Sequence, residues 1–257
     1  PSAYVRSSRT DARLVTEILE KTRLVDLAVE RSLLTGMPLD RVSASIASFD
    51  FLYLSEIRKR GRVAPTVQPG SRMEPTLGGA VLEPVTGIHE RILGFDFKSL
   101  YPSLILTFNI DPVEYLPSPP SGEDVIQAPN GACFSRRPGI LPEILSRLFP
   151  RREAARQAGD AIASQAIKIL MNSFYGVLAT PACRFHSAPV ANAITHFGQS
   201  ILLWSRQHVE EMGHRVLYGD TDSLFVDSNA ATPDYALRAG KELAARGRDI
   251  RELTTQH

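Results

Sequence analysis

Val216-Leu217-Tyr218-Gly219-Asp220-Thr221-Asp222-Ser223-Leu224-Phe225-Val226 decides the reading of the fold. Two apolar runs flank a short polar turn, the pattern of a β-hairpin, and the turn sets two carboxylates at one edge of a sheet. Asp is favoured in turns because its side chain bonds the neighbouring backbone, so one acid needs no further reason. The second, two positions on, does. Like charges held close disfavour ionisation unless a cation neutralises them, which makes a divalent metal the natural third party.

The first strong strand before this hairpin is Ile92-Leu93-Gly94-Phe95-Asp96-Phe97, which carries another acid near its end. An Asp in that place can simply cap the helix expected over residues 99–106. Asp96-Phe97-Lys98-Ser99-Leu100-Tyr101-Pro102-Ser103 offers more: a carboxylate, a strand-to-helix turn whose backbone N–H groups suit phosphate oxygens, and a Tyr at fixed distance. Hard cations held by oxygen ligands from separated carboxylates are the apparatus of in-line phosphoryl or nucleotidyl transfer.

Between these elements the spacing predicts two helices, over residues 142–158 and 161–175, separated only by Gly159-Asp160 and therefore forming an antiparallel hairpin. Lys168, Asn172 and Tyr175 fall on one face of the second helix, with Ile162, Ala166, Ile169 and Leu170 on the other. Arg152 and Arg156 are four apart on the first helix and can face Lys168. Residues 136–156 hold six Arg against two Glu. A cationic stripe facing carboxylate sites across a cleft suits an anionic substrate.

The rest of the chain frames this centre. Residues 12–55 carry apolar side chains at helical spacing, Leu14, Ile18 and Leu19 among them, and read as several packed helices. Gly36 and Pro38 mark a turn, with Asp40 expected to cap the next helix. Arg58-Lys59-Arg60-Gly61-Arg62 reads as a solvated helix end, residues 69–79 as a Pro/Gly-rich linker, residues 117–122 as a Pro/Ser-rich loop and residues 188–211 as a further helix. The fold expected is α+β: an antiparallel sheet bearing Asp96 and the Asp220/Asp222 turn, a two-helix insertion, helices behind the sheet and a helical N-terminal segment.

Composition excludes several alternatives. With 257 residues, 43% hydrophobic and 22% charged, the chain is neither disordered nor fibrous. Its 29 Lys and Arg nearly balance 28 Asp and Glu, so affinity for an anionic partner must come from the placement of charge. Cys133 and Cys183 form no disulfide framework and no zinc spacing, which fits a reducing compartment. No apolar run reaches the ~18 residues of a membrane span, and the first turns of the chain carry charges in place of a signal-peptide core. The termini at Pro1 and His257 read as those of a piece of a longer polypeptide.

The three acid-bearing and cationic segments, taken together, resemble a known family. Asp96 to Ser103 resembles motif A of the family B DNA polymerases, Lys168-x-x-x-Asn172-Ser173-x-Tyr175-Gly176 resembles motif B, and Tyr218-Gly219-Asp220-Thr221-Asp222-Ser223 resembles motif C. They occur in the family's order. Residues 14–65 and the stretch from Gly176 to Phe185 are most similar to the bacterial DNA polymerase II branch.

The resemblance implies a DNA-dependent DNA polymerase, active in DNA replication and repair, that transfers a deoxynucleotide to a primer 3′-hydroxyl by a two-metal mechanism. Asp96 and Asp222 would bind two Mg2+ ions, with Mn2+ as a substitute, assisted by the Phe97 carbonyl, and Asp220 would be an accessory acid. Ser99, Leu100 and Tyr101 would cradle the phosphates, the Tyr101 ring rejecting a ribose 2′-hydroxyl. Arg152, Arg156, Lys168 and Asn172 would grip the deoxynucleoside triphosphate, and Tyr175, Gly176 and Thr221 would meet the DNA. The implied divisions are a helical segment at residues 1–65 joining an exonuclease remnant to the palm, a first part of the palm at 66–144, fingers at 145–176 and a second part of the palm at 177–257.

Primer-template DNA is the implied partner, with a sliding clamp engaged through a C-terminal region beyond this chain and no membrane. The implied location is the bacterial cytoplasm, at the nucleoid. Departures accompany the match. Only Thr10-Asp11-Ala12-x-Leu14-Val15 resembles part of the family's exonuclease, with Ser7 where a Tyr is usual. A lone Asp11 cannot hold two metals, so no proofreading is expected of this chain. Ala179 and Pro181 replace a usual Gly and Thr, and no thumb follows motif C. The alternative reading is a non-catalytic remnant that binds nucleic acid or nucleotide; a nucleotidyl cyclase is disfavoured by the Tyr175-Gly176 pair.

Overall fold

Three antiparallel strands carry the acids: β1 (Ile92–Asp96), β5 (Arg215–Asp220) and β6 (Ser223–Asp227), in the order β1-β6-β5. This computed structural model describes residues 2–67, 76–119, 122 and 124–246. Most of the linker expected at 69–79, part of the loop at 117–122 and the C-terminal end lie outside the described residues. Period-two alternation explains the sheet. Leu224 and Val226 of β6 and Leu217 and Gly219 of β5 are buried, while Phe225 and Asp220 are exposed. Residues 80–85 run along the free edge of β5, where Leu82 N–H donates to the Gly219 carbonyl and Val85 N–H to that of Leu217. A Cβ at position 219 would lie 2.8 Å from Leu82 Cδ1 and 2.9 Å from Leu224 Cδ2, so the glycine leaves room for both leucine side chains where the strap meets the edge.

The helices are α1 (Ser2–Thr22), α2 (Leu24–Thr35), α3 (Ser45–Lys59), α4 (Leu100–Thr107), α5 (Ile140–Gln157), α6 (Ala161–Leu178), α7 (Ala188–Glu211) and α8 (Pro233–Arg246). The expected α5–α6 hairpin is present. Gly159 turns it at φ 73°, and the Asp160 side chain caps α6 by accepting from Ala163 N–H at 2.9 Å. On α6 the buried stripe is Ala166, Ile167, Leu170, Met171, Phe174, Val177 and Leu178, and Ile162 and Ile169 are only half-buried at its margin. This stripe joins Phe49, Tyr53, Leu104, Ile105, Leu141 and Leu145 in the larger core. A smaller core lies under the sheet, where Val216, Leu224 and Val226 meet Leu202, Val209 and Leu243.

A second sheet, β2 (Tyr115–Leu116), β4 (Cys133–Ser135) and β3 (Val125–Gln127), was not expected. Strands of two or three residues are too short to show alternation in sequence. Three N-terminal readings are also corrected. Leu14 and Ile18 of α1 stay 45% and 55% exposed, so this helix does not bury its apolar stripe among the described residues. Asp40 lies in a turn ahead of α3, whose N-cap is Ala44 and lacks a side-chain bond. The basic cluster is solvated at Arg58, Lys59 and Arg62, but Arg60 is half-buried, pairs with Glu143 at 2.9 Å and donates to the Pro138 carbonyl at 2.8 Å.

A buried polar knot fastens α3 to the start of α5. Asp111 is fully buried and accepts from Tyr53 Oη at 2.7 Å, Val113 N–H at 2.8 Å and Leu141 N–H at 2.7 Å. Removal from water pushes its carboxyl above the ordinary range against the opposing effect of these donors, and the Tyr53 phenol is likewise raised. Close by, Ser135 Oγ donates to the buried Glu114. Both Cys133 and Cys183 are free and buried.

Candidate active site

The register brings the separated acids together. Asp96 of β1 and Asp220 of β5 both stand opposite Ser223 of β6, so the three form a row across the end of the sheet. Asp96, Gly94 and Ile92 share the open face of β1, and Asp220 lies on the exposed face of β5. Asp222 occupies the two-residue turn between β5 and β6, and its carbonyl accepts from Phe97 N–H at 2.8 Å, extending the ladder one step past Asp96. Ser223 Oγ lies 3.2 Å from Asp96 Oδ1 and 3.4 Å from Asp222 Oδ1. Both carboxylates thus converge on one hydroxyl.

Among the described residues none of these acids has an ion-pair partner. Asp222 is half-buried, and desolvation, followed by the Asp96 charge and more weakly that of Asp220, raises its carboxyl above the usual range. Asp220 is held by Thr221 Oγ1 at 2.8 Å and Tyr218 Oη at 3.3 Å. Thr221 itself sits at φ 53°, a left-handed conformation that costs a β-branched residue about 1–2 kcal/mol. Its N–H donates to the Ala80 carbonyl, so the strap over β5 holds the turn in place.

A cleft of about 410 Å³ opens beside these acids. Asp96, Phe97, Thr221 and Asp222 form its floor, Ser99, Leu100 and Tyr101 at the N-terminus of α4 one wall, and Arg152, Lys168 and Asn172 of the helical hairpin the other. Lys168 and Asn172 occupy the exposed face of α6, opposite its buried stripe. Arg152 Nη1 donates to Ser99 Oγ at 3.0 Å across the cleft, while its buried Nε has no hydrogen-bond partner among the described residues. Ser99, at φ 54°, is the N-cap of α4. The first N–H groups of a helix have no intrahelical acceptor, and the positive end of the helix dipole favours an anion there.

Tyr101 is half-buried, its ring centroid 4.8 Å from that of Tyr175. Burial, the neighbouring Tyr175 and the acids of the turn push its phenol up to about 12. Tyr175 borders Tyr101 without lining the cleft, and Gly176 is exposed with open space around it. Arg156 departs from expectation. It is exposed, does not line the cleft and pairs with Glu153 at 3.4 Å.

The residues suit hard divalent cations by donor chemistry: two carboxylates that meet at one hydroxyl, Asp222 raised by desolvation and then by Asp96, facing the cationic side chains of Arg152 and Lys168. Among the described residues no group of three or more His, Cys, Asp or Glu side chains forms a metal cage. Sequence reading gave Ser223 no role, although alternation along the hairpin puts it on the same face as Phe225 and opposite both strand-end acids. Lys98 and Glu153, which face each other at the cleft mouth, were also passed over.

This sheet edge, with its paired acids under a cationic helical hairpin, is the framework that the sequence motifs implied. The chain matches the model of DNA polymerase family B over residues 42–249. It belongs to that family. It is 39% identical to DNA polymerase II of Escherichia coli over 91% of this chain and 30% of that protein. It is 34% identical to a DNA polymerase of Archaeoglobus fulgidus over 90% of this chain and 30% of the relative. Among solved structures, the family B DNA polymerase of Pyrobaculum calidifontis superimposes with a TM-score of 0.68 at 30% identity, covering 88% of this chain and 31% of that one. The chain therefore spans about 30% of the length of the curated relatives it matches. Among the described residues no helix is long and apolar enough to cross a membrane.

Proposed function

We propose that the chain is the nucleotidyl-transfer centre of a DNA-directed DNA polymerase, adding deoxynucleotides to a primer 3′-hydroxyl on primer-template DNA. The observation that carries this reading is the convergence of Asp96 and Asp222 on Ser223 beneath Arg152 and Lys168. In this reading residues 66–144 and 177–257 are the two parts of the palm, residues 145–176 the fingers and residues 1–65 the helical segment before them. The bacterial cytoplasm at the nucleoid, where such a substrate resides, is the corresponding location.

Asp96 and Asp222, with the Phe97 carbonyl, would hold two Mg2+ ions, which supply Lewis-acid activation of the attacking oxygen and neutralise charge on the leaving group. The protein's own share is positioning. Arg152 and Lys168 draw the triphosphate to the cleft, and Asn172 adds a neutral donor on the same helical face. The N-terminus of α4 receives phosphate oxygens. Tyr101, held by Tyr175, sets the floor under the sugar and excludes a 2′-hydroxyl. Asp220 adds negative potential near the metals, and Thr221, Tyr175 and Gly176 line the path of the DNA. The reaction needs no covalent intermediate on the protein, only alignment and charge compensation.

The test is primer extension by the chain and by a chimera in which it replaces the matching segment of the Escherichia coli relative. Template-directed extension that disappears in Asp222→Ala supports the reading. A correctly folded chimera that binds DNA without extending it would favour a non-catalytic remnant.

A further inference from the structure

The cationic wall of the cleft is already partly engaged by an acid of the protein itself. Glu153 lies next to Arg152 on α5, and its Oε2 takes Lys98 Nζ at 3.4 Å and Arg156 Nη1 at 3.4 Å. Lys98 belongs to the β1–α4 turn and lines the cleft, so Glu153 ties that turn to the helical hairpin across the cleft mouth. One oxygen shared between two cations at this distance makes neither contact a short charge-assisted bond, which would measure about 2.7–2.9 Å. All three side chains are about half exposed or more, so each pair is weak and readily exchanged. A triphosphate brings several oxygens and a larger negative charge to the same place.

We propose that Glu153 is an internal placeholder for the triphosphate, occupying Lys98 and Arg156 until nucleotide displaces it. The proposal rests on the reading that the cleft takes a triphosphate. It accounts for Arg156, four residues from Arg152 on the same helix, pairing with Glu153 without lining the cleft. Glu153 touches no reacting group. It acts through the two cations it holds and so sets how selectively the cleft is filled: a short anion that cannot outcompete the carboxylate is rejected, and a triphosphate is admitted.

Calorimetric titration of the chain with inorganic tripolyphosphate, at about 0.1 M salt, tests this. Glu153→Gln keeps the side-chain shape and removes the charge, and should bind about three- to fivefold more tightly, the scale of one or two exposed ion pairs. In a Lys98→Ala/Arg156→Ala background the gain should fall by at least half. Equal or weaker binding by Glu153→Gln overturns the proposal, as does a gain that keeps more than half its size without the two cations, which would be a field effect alone. Primer extension is measured in parallel. Loss of extension with these binding results intact would strike the polymerase reading and spare the Glu153 contact; the reverse pattern would strike only the placeholder.

Discussion

Asp96 and Asp222 share a hydrogen-bonding partner, Ser223 Oγ, at 3.2 and 3.4 Å, although one ends β1 and the other sits in the turn between β5 and β6. Two like charges so placed oppose each other: removal from water, and after it the Asp96 charge, raises the Asp222 carboxyl. Asp222→Asn should therefore abolish primer extension, with a loss of at least about 100-fold, while the melting temperature holds or rises by about 2–4 °C. Primer extension and thermal unfolding of the same sample check both halves. A clear fall in melting temperature would mean that the carboxylate serves the fold.

Tyr101 is wedged between Tyr175 and α7, where a Cβ added at Gly198 would come within 3.3 Å of the ring. Tyr101→Ala should reduce discrimination against ribonucleotides by about tenfold or more. Gly198→Ala, which presses the ring toward the cleft, should make sugar selection stricter or slow incorporation. Competitive incorporation of paired deoxy- and ribonucleotides reads both; unchanged selection in Tyr101→Ala would remove the steric role.

Lys168 projects from the exposed face of α6 into the cleft. Lys168→Ala should raise KM for nucleotide by about tenfold or more, because a hydrogen bond to a charged group contributes ~1.5–3 kcal/mol. Little change in stability is expected, since the opposite face of α6 carries the packing. Steady-state kinetics and a melting curve distinguish this from a folding defect.

Asp111 predicts a pH dependence unrelated to catalysis. Its folded-state carboxyl is raised above the ordinary value, so the folded state binds this proton more tightly than the unfolded chain. The associated stabilisation is complete below the unfolded pKa of about 3.9 and is lost as pH rises through the raised folded value. Asp111→Asn removes that dependence and sets an amide N–H against backbone and phenol donors. The variant should be less stable throughout, by about 1–3 kcal/mol, with the gap widest at acid pH and narrowing upward. Urea titrations from pH 4 to about 7 measure it; a gap that widens with pH would contradict the sign.

The hairpin around Thr221, the β1 strand, α7 and the α5–α6 arm were legible because each has a strong local signature: alternation, helical periodicity, or a Gly-Asp turn. The two small-sheet strands flanking β4 had none. The pairing of Arg156 with Glu153 was illegible for a different reason. Helical spacing fixes which face a side chain leaves from, but the choice between Glu153 and the cleft depends on a contact to Lys98 from another element.

Sequence alone determined which side chains are chemically equipped, since acids at a turn and cations on one helical face follow from local geometry. Tertiary structure decided which of them meet. Strand register, set by burial of Leu224 and Val226 on one face, aligns Asp96 and Asp220 with Ser223 on the other. A slip of one residue would have turned every one of these side chains to the opposite side of the sheet. The knot at Asp111, the strap at Gly219 and the hold of Glu153 on Lys98 likewise join positions remote in the chain, and no local pattern encodes such contacts.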